Sequence, residues 1–238
     1  MAAAAEPLPV YATRPPPPVR LRYRLQLRDA AGVRDGEAWL DWWHDGQRYR
    51  LTLQAQLNGQ AAGRPWLQQS SEGRLDAAGL APERFVDRRG GRSAQAANFR
   101  RDDGPPRIAY SGHDGQQPLP AGAQDRLSWI AQLAAIAAAA EAVAPARLSL
   151  WVSDARGWAE TWHWQPPGEA APPPGADPLP PATWQRQPEH PDGLQLWLWP
   201  QAGPGLAQHW PARLLQQRAR GAPALWLELA EALPPMPP

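Results

Sequence analysis

In Ala123-Gln124-Asp125-Arg126-Leu127-Ser128-Trp129-Ile130-Ala131-Gln132-Leu133-Ala134-Ala135-Ile136, the larger apolar residues Leu127, Ile130, Leu133 and Ile136 recur every third position. Alanines fill the places between. That spacing makes one helical stripe, and it is the single helical pattern in a chain that otherwise alternates like strands. Pro118 and Pro120 stop the preceding extended segment, Asp125 sits where an acidic group favours a helix N-terminus, and Pro145 bars continuation. A helix over 124–142 is therefore predicted. Burying its four large aliphatic side chains would stabilise the fold by roughly 1.5–3 kcal/mol each, while the alanines let a sheet approach closely. A membrane span is the competing reading of this apolar run. Gln132 and Glu141 interrupt it and its length is borderline for the roughly 20 residues a span needs, so a core helix lying on a sheet is preferred.

Outward from the helix the period changes to two. Val19, Leu21, Tyr23, Leu25 and Leu27 point one way while Arg20, Arg22, Arg24 and Arg28 point the other, giving one buried and one basic face. Asp35-Gly36 and Asp45-Gly46 read as hairpin turns flanking a strand with Trp39, Leu40, Trp42 and Trp43, and a strand with Tyr49, Leu51, Leu53 and Leu57 follows. Further strands are predicted at 65–75, 84–89, 94–101 and 107–111, separated by Gly79-Leu80-Ala81-Pro82, Gly90-Gly91 and Asp103-Gly104-Pro105-Pro106. After the helix, strands are predicted at 147–154, 157–165, 182–187, 194–199, 211–218 and 224–230, with Asp192-Gly193 as another turn and 166–181 as a Pro/Ala/Gly-rich surface loop. None of these connections needs a crossover helix, so the sheet should be an antiparallel meander.

Leu194, Leu196 and Leu198 share one face of their strand and Trp197 and Trp199 the other; Trp151 and Trp226 likewise oppose leucines. Both faces need cover. The fold class that provides it is mainly β: a strongly curved antiparallel sheet, barrel or half-barrel, with one central α-helix packed on it. A single domain over 19–231 is expected, with Pro-rich tails at 1–18 and 232–238. The run Pro15-Pro16-Pro17-Pro18 reads equally as a spacer holding the domain away from what precedes it or as part of a disordered tail.

Composition narrows the function classes. The net charge is +1, which argues against a nucleic-acid binder even though every one of the 24 basic residues is arginine. Without cysteine there is no disulfide, thiol nucleophile or cysteine metal site. The five histidines lack paired metal-ligand spacing, and His44-Asp45-Gly46 and His113-Asp114-Gly115 read as turns before they read as acid–base groups. No metal, cofactor or catalytic residue is expected.

Two surfaces remain. Trp129, Trp151, Trp162, Trp164, Trp197 and Trp199 are candidates for a groove that takes an amphiphilic ligand. Arg20, Arg22, Arg24 and Arg28 are candidates for an anion site, against the plainer reading of a solvated face paired with Glu37, Asp41 and Glu72. An envelope protein partner is the alternative to a small molecule, and a glycan-active enzyme using Glu160 or Glu228 has no spacing behind it.

Ser71-Glu72-Gly73-Arg74-Leu75, the run from Gly79 to Arg89, Ala96-Ala97-Asn98-Phe99, the run from Leu119 to Ser128 and the late Trp199-Pro200 and Pro211-Ala212-Arg213 resemble the proteobacterial family known as domain of unknown function 3108. The resemblance covers roughly 20–230 and implies a cell-envelope protein with an N-terminal apolar segment, brought near the membrane by it. It implies no activity. Met1-Ala2-Ala3-Ala4-Ala5-Glu6-Pro7 is not such a segment, so a periplasmic location is expected if a leader has been trimmed, and a cytoplasmic one otherwise.

Overall fold

The computed structural model describes residues 8–60, 65–102, 104–140, 147–166, 184–186, 194–200, 205–218 and 224–235. It is mainly β, with one helix among these residues. The strands are β1 (Val19–Asp29), β2 (Gly32–His44), β3 (Arg48–Leu57), β4 (Leu67–Asp76), β5 (Gly79–Arg89), β6 (Gln95–Arg100), β7 (Arg107–Tyr110), β8 (Gln116–Pro118) and β9 (Gln124–Asp125). Helix α1 (Ser128–Ala139) follows, then β10 (Leu148–Ser153), β11 (Ala159–Gln165), β12 (Trp184–Arg186), β13 (Leu194–Pro200), β14 (Pro211–Arg218) and β15 (Ala224–Leu233).

All fifteen strands form one sheet in the order β8-β7-β6-β5-β4-β3-β2-β1-β15-β14-β13-β12-β11-β10-β9. It is the expected antiparallel meander with one long-range joint, β1 against β15, and one short parallel pair, Gln124↔Val152 and Ser153↔Asp125. The outer strands β8 and β9 are separated in the chain only by 119–123, a segment that spans at most roughly 20 Å. The sheet therefore curls until its edges face each other, yet they do not pair into a closed barrel. Side chains bridge the seam instead: Tyr110 Oη to Ser153 Oγ (2.8 Å), His113 Nε2 to the Arg156 carbonyl (3.1 Å) and Gln117 Nε2 to the Gly157 carbonyl (3.2 Å). Bulges between Arg22/Tyr23, Glu72/Gly73 and Trp199/Pro200 add local twist to that curl.

Inside the curl lies α1. Leu127, Ile130 and Ile136 are buried as the threefold spacing predicts, while Leu133 is half-buried and Ser128, Trp129, Gln132 and most alanines are buried too. A helix covered on nearly every side must satisfy its polar groups internally. Gln132 does so at the β4–β5 hairpin, accepting from the Leu80 N–H (2.8 Å) and donating to the Ala78 carbonyl (2.7 Å). Gln124 donates to the Leu80 carbonyl (2.7 Å). Together they stand in for a strand partner at this hairpin. Gly79 is required there: its φ is +99°, and a Cβ would meet Gln132 Oε1 at 2.4 Å.

Several expectations need correction. The helix starts at Ser128 rather than 124, because the Asp125 carboxylate accepts the N–H groups of Leu127 (2.8 Å) and Ser128 (2.7 Å) while Gln124 and Asp125 extend alongside β10. Its predicted end at 142 lies outside the described residues, as do Asp192-Gly193 and, after Pro166, the loop at 166–181. Asp35-Gly36 is no turn. It lies within β2, where Gly36 faces Leu25 and Leu57 and leaves no room for a Cβ, which would meet the Gln56 carbonyl oxygen at 2.0 Å. The first hairpin instead turns at Ala30-Ala31, the Ala31 N–H bonded to the Asp29 carboxylate (2.9 Å). Leu80, Ala81 and Pro82 belong to β5, not to a turn. Finally, residues 8–18 do not stand clear of the domain. Arg14 bonds the helix C-terminus, its N–H to the Ala135 carbonyl (2.9 Å) and its guanidinium to the Ala138 carbonyl, and Trp42 Nε1 donates to the Pro16 carbonyl (2.8 Å). The extended proline backbone makes a strap, since its carbonyls remain available as acceptors.

Candidate functional site

Between the first turns of α1 and the inner face of the curl is a cavity of about 120 Å³. That is an order of magnitude above the ~10–15 Å³ that one water requires, and comparable with engineered apolar cavities of about 150 Å³ that bind benzene. Leu127 and Ile130 of the helix segment form one wall, and Leu40, Leu196, Leu214 and Leu227 form the opposite one. These are inward positions of β2, β13, β14 and β15, so period-two alternation places them on one face. Tyr23 also reaches the cavity, but its hydroxyl donates to the Pro211 carbonyl (3.0 Å), and burial pushes the phenol well above its ordinary pKa.

At its mouth the lining is charged, with Asp87 and Arg89 from the end of β5, Asp154 and Arg156 from the β10–β11 turn, and Arg126 from the approach to α1. Asp87 is almost fully buried and accepts from Arg89 Nε (3.0 Å), Arg156 (3.2 Å) and Gln69 Nε2 (3.2 Å). The Asp87–Arg156 contact crosses from β5 to the β10–β11 turn, so this charged end of the cavity ties together strands from the two ends of the curled sheet. Arg126 stacks on Trp162 with its guanidinium carbon 4.8 Å from the ring centre, and Arg186 stacks on the same ring at 4.5 Å.

Of the tryptophans singled out in the sequence, only Trp129 and Trp162 line this cavity. Trp164 is packed behind them, its ring 5.1 Å from that of Trp129, with no exposure of its own. Trp151 faces the other way, towards Tyr11 and the N-terminal strap beside a much smaller pocket. Trp197 and Trp199 are also on the opposite face, buried in a separate cluster with Leu215, Trp199 stacked 5.9 Å from Trp226. The alternation thus assigns faces correctly, but an indole on the outer face cannot share a ligand with one on the inner.

Three of the four β1 arginines are engaged by carboxylates. Arg20 pairs with Asp41 (3.3 Å), Arg22 with Glu37 (3.0 Å) and Glu231 (3.2 Å), and Arg24 with Glu228 (3.1 Å). Arg28 is exposed at the far end of β1. Glu228 and Glu231 come from β15, a pairing across nearly the whole chain that strand-by-strand reading does not supply. The arrangement is a cross-strand ion-pair face rather than an anion site. The cavity-mouth arginines Arg89, Arg126 and Arg156 were the ones missed, since they lie in three separate segments with no shared period.

His44 and His113 behave as turn residues. Nδ1 of each accepts the glycine N–H two residues on, at 3.2 Å and 2.9 Å, and Nε2 faces the carbonyl of Pro16 or Arg156 at 3.1 Å. A second buried polar cluster supports the helix start. Asp125, fully buried, accepts from Ser71 Oγ (2.5 Å), and Ser71 is bonded to Tyr49 Oη (2.9 Å). Burial raises the Asp125 carboxyl to about 6, against the hydrogen bonds that favour its charged form. No helix among the described residues is long and apolar enough to cross a membrane.

No curated protein matches the chain. Among solved structures it is similar to a beta-barrel-like protein of domain of unknown function DUF1849 from Brucella abortus, at 14% identity and a TM-score of 0.54, covering 93% of this chain and 99% of that one. This likeness shows the fold alone. A putative outer membrane lipoprotein-sorting protein domain from Vibrio parahaemolyticus aligns over 91% of this chain and 85% of its own, at 8% identity and a TM-score of 0.33, too low to carry argument. The family described as Protein of unknown function (DUF3108) matches residues 20–151, more than half of the chain, with its strands β1 to β9, the whole of α1 and most of β10, and the chain belongs to that family.

Proposed function

We propose that the protein is a non-enzymatic cell-envelope protein that holds an amphiphilic, lipid-like molecule between α1 and the curved sheet. The observation that supports this is the cavity itself: apolar side chains inside, charged side chains at the mouth, and about 120 Å³ left open in a core that close packing would otherwise fill. The envelope placement rests on the family resemblance. Mass spectrometry of the natively purified protein tests the reading, paired with a Leu214→Trp variant that fills the cavity from β14. Co-purified amphiphile in the parent and none in a folded variant is expected; an empty parent that also fails to take up an added alkyl-chain probe would refute it.

The second reading, a scaffold module that docks an envelope partner, is favoured by Trp158, 58% exposed at the β10–β11 turn. Loss of a partner in a Trp158→Ala pull-down with unchanged ligand content would support the scaffold instead.

A further inference from the structure

The last turn of α1 has no group of its own to close it. From Leu133 to Ala139 the helix carries only aliphatic side chains, and its last turn holds no basic residue to answer the negative end of the helix dipole. Arg14 supplies that group from the strap: its N–H donates to the Ala135 carbonyl (2.9 Å) and its guanidinium to the Ala138 carbonyl. We propose that residues 8–18 are a latch on α1, whose release frees the last turns of the helix and lets the cavity lengthen to admit a longer alkyl chain. The inference rests on the cavity reading above and adds how the site is opened.

The two ends of the helix are held differently. The first turn is tied by buried groups: Asp125 accepts the Leu127 and Ser128 N–H groups and bonds Ser71, and Gln132 is fixed at the β4–β5 hairpin. Beyond Gln132 no helix side chain can hydrogen-bond, so apart from the packing of Ala135, Ile136 and Ala138 the hold on this end comes from the strap. The strap itself is fastened by single bonds. Tyr11 Oη accepts the Ser149 N–H (2.9 Å), and the Pro16 carbonyl accepts from Trp42 Nε1 (2.8 Å) and faces His44 Nε2 (3.1 Å), while Val10, Ala12, Arg14 and Pro17 are exposed. A segment fastened in this way opens at lower cost than a strand paired along its length.

The latch and the charged lining lie at opposite ends of the curl. β5 runs from Gly79, whose Cβ position is 2.9 Å from Thr13 Cγ2, to Arg89 at the charged end, and α1 returns from Leu127 and Ile130 in the cavity wall to Ala138 under Arg14. At about 120 Å³ the cavity is of the size that takes benzene, too small for a long alkyl chain. In a close-packed core, further length comes from moving a whole element. α1 is the wall that stands outside the hydrogen-bond ladder of the sheet. Lifting its last turns adds Leu133 and Ile136 to the apolar line that Leu127 and Ile130 begin.

The test compares the full parent chain with Arg14→Lys, Arg14→Ala and Arg14→Glu, and with Arg22→Ala as a surface control. Amide hydrogen exchange reads the strap and α1; stopped-flow tryptophan fluorescence reads uptake of butanol, octanol and dodecanol, since Trp129 and Trp162 line the cavity. Exchange over residues 8–18 and the last turns of α1 should rise in the order Lys, Ala, Glu, by about fivefold for Arg14→Ala, the factor that losing one ordinary hydrogen bond gives. The amides of β2, β3 and β4 should keep parent rates. Dodecanol uptake should quicken by a similar factor while butanol affinity stays that of the parent. Unchanged exchange in the last turns of α1 with Arg14→Glu, or exchange that rises equally through β2, β3 and β4, overturns the latch. Faster exchange with dodecanol uptake unmoved overturns its control of the cavity and leaves the cavity reading standing. Binding of no alcohol by the parent or any variant overturns the cavity reading and this inference together.

Discussion

Replacing Asp125 by asparagine should make the protein more stable at neutral pH and leave it unchanged in acid. Asp125 is fully buried and, chiefly through burial, its carboxyl is raised from an ordinary 3.8 to about 6. A shift of about two pH units corresponds to about 3 kcal/mol at ~1.4 kcal/mol per unit. Because the folded-state value lies above the unfolded one, the folded chain binds the proton more tightly. The contribution is therefore fully present below pH ~4 and lost as pH rises through about 6. The neutral side chain fits the network: one oxygen can accept from the Leu127 and Ser128 N–H groups, and the other position can donate to Ser71 Oγ, which in turn bonds Tyr49. Asparagine reproduces that pattern without titrating. In denaturant titrations followed by tryptophan fluorescence, the two proteins should agree within about 1 kcal/mol at pH 4, and the variant should lead by up to about 3 kcal/mol at pH 8. Asp29, Asp45 and Glu228, whose carboxyls are lowered, add acid-side slopes to both proteins and cancel in the difference. A difference that stays constant from pH 4 to pH 8, or that favours the parent at pH 8, would refute the argument.

Gly79→Ala should cost about 1–3 kcal/mol, because it needs a positive φ and space already taken by Gln132 and Thr13; chemical denaturation checks it, and the same substitution in a Gln132→Ala background should cost less. Arg22→Ala, at a solvent-screened ion pair with Glu37 and Glu231, should leave the denaturation midpoint almost unchanged, with any difference from the parent shrinking further at high salt. Trp42→Phe removes the bond to the Pro16 carbonyl and should cost about 1–3 kcal/mol while speeding proteolysis near residues 8–18, measured by limited digestion. Leu196→Ala should lose about 2–5 kcal/mol in the absence of ligand and regain part of it with an added alkyl chain, seen as a larger ligand-induced rise in Tm than the parent shows.

Local periodicity reaches a long way in this chain. Period-two alternation assigns Leu21, Leu25, Leu196 and Leu198 to the inner face and Trp197 and Trp199 to the outer, and the threefold spacing finds the helix, because both depend only on backbone geometry that each segment carries with it. Turn chemistry is legible where a side chain acts on its own neighbours, as Asp45 does by accepting from Gln47 and Arg48 (2.8 and 2.7 Å). It misleads at Asp35-Gly36, where glycine serves close approach of the Gln56 carbonyl rather than a turn. The β1–β15 joint, the burial of α1 on almost every side, the strap of residues 8–18 and the meeting of Arg89, Arg126 and Arg156 at one mouth were decided by the tertiary structure alone. Each depends on which distant segments become neighbours when the sheet curls, and that follows from the summed burial of both its faces, a quantity no single stretch of sequence contains.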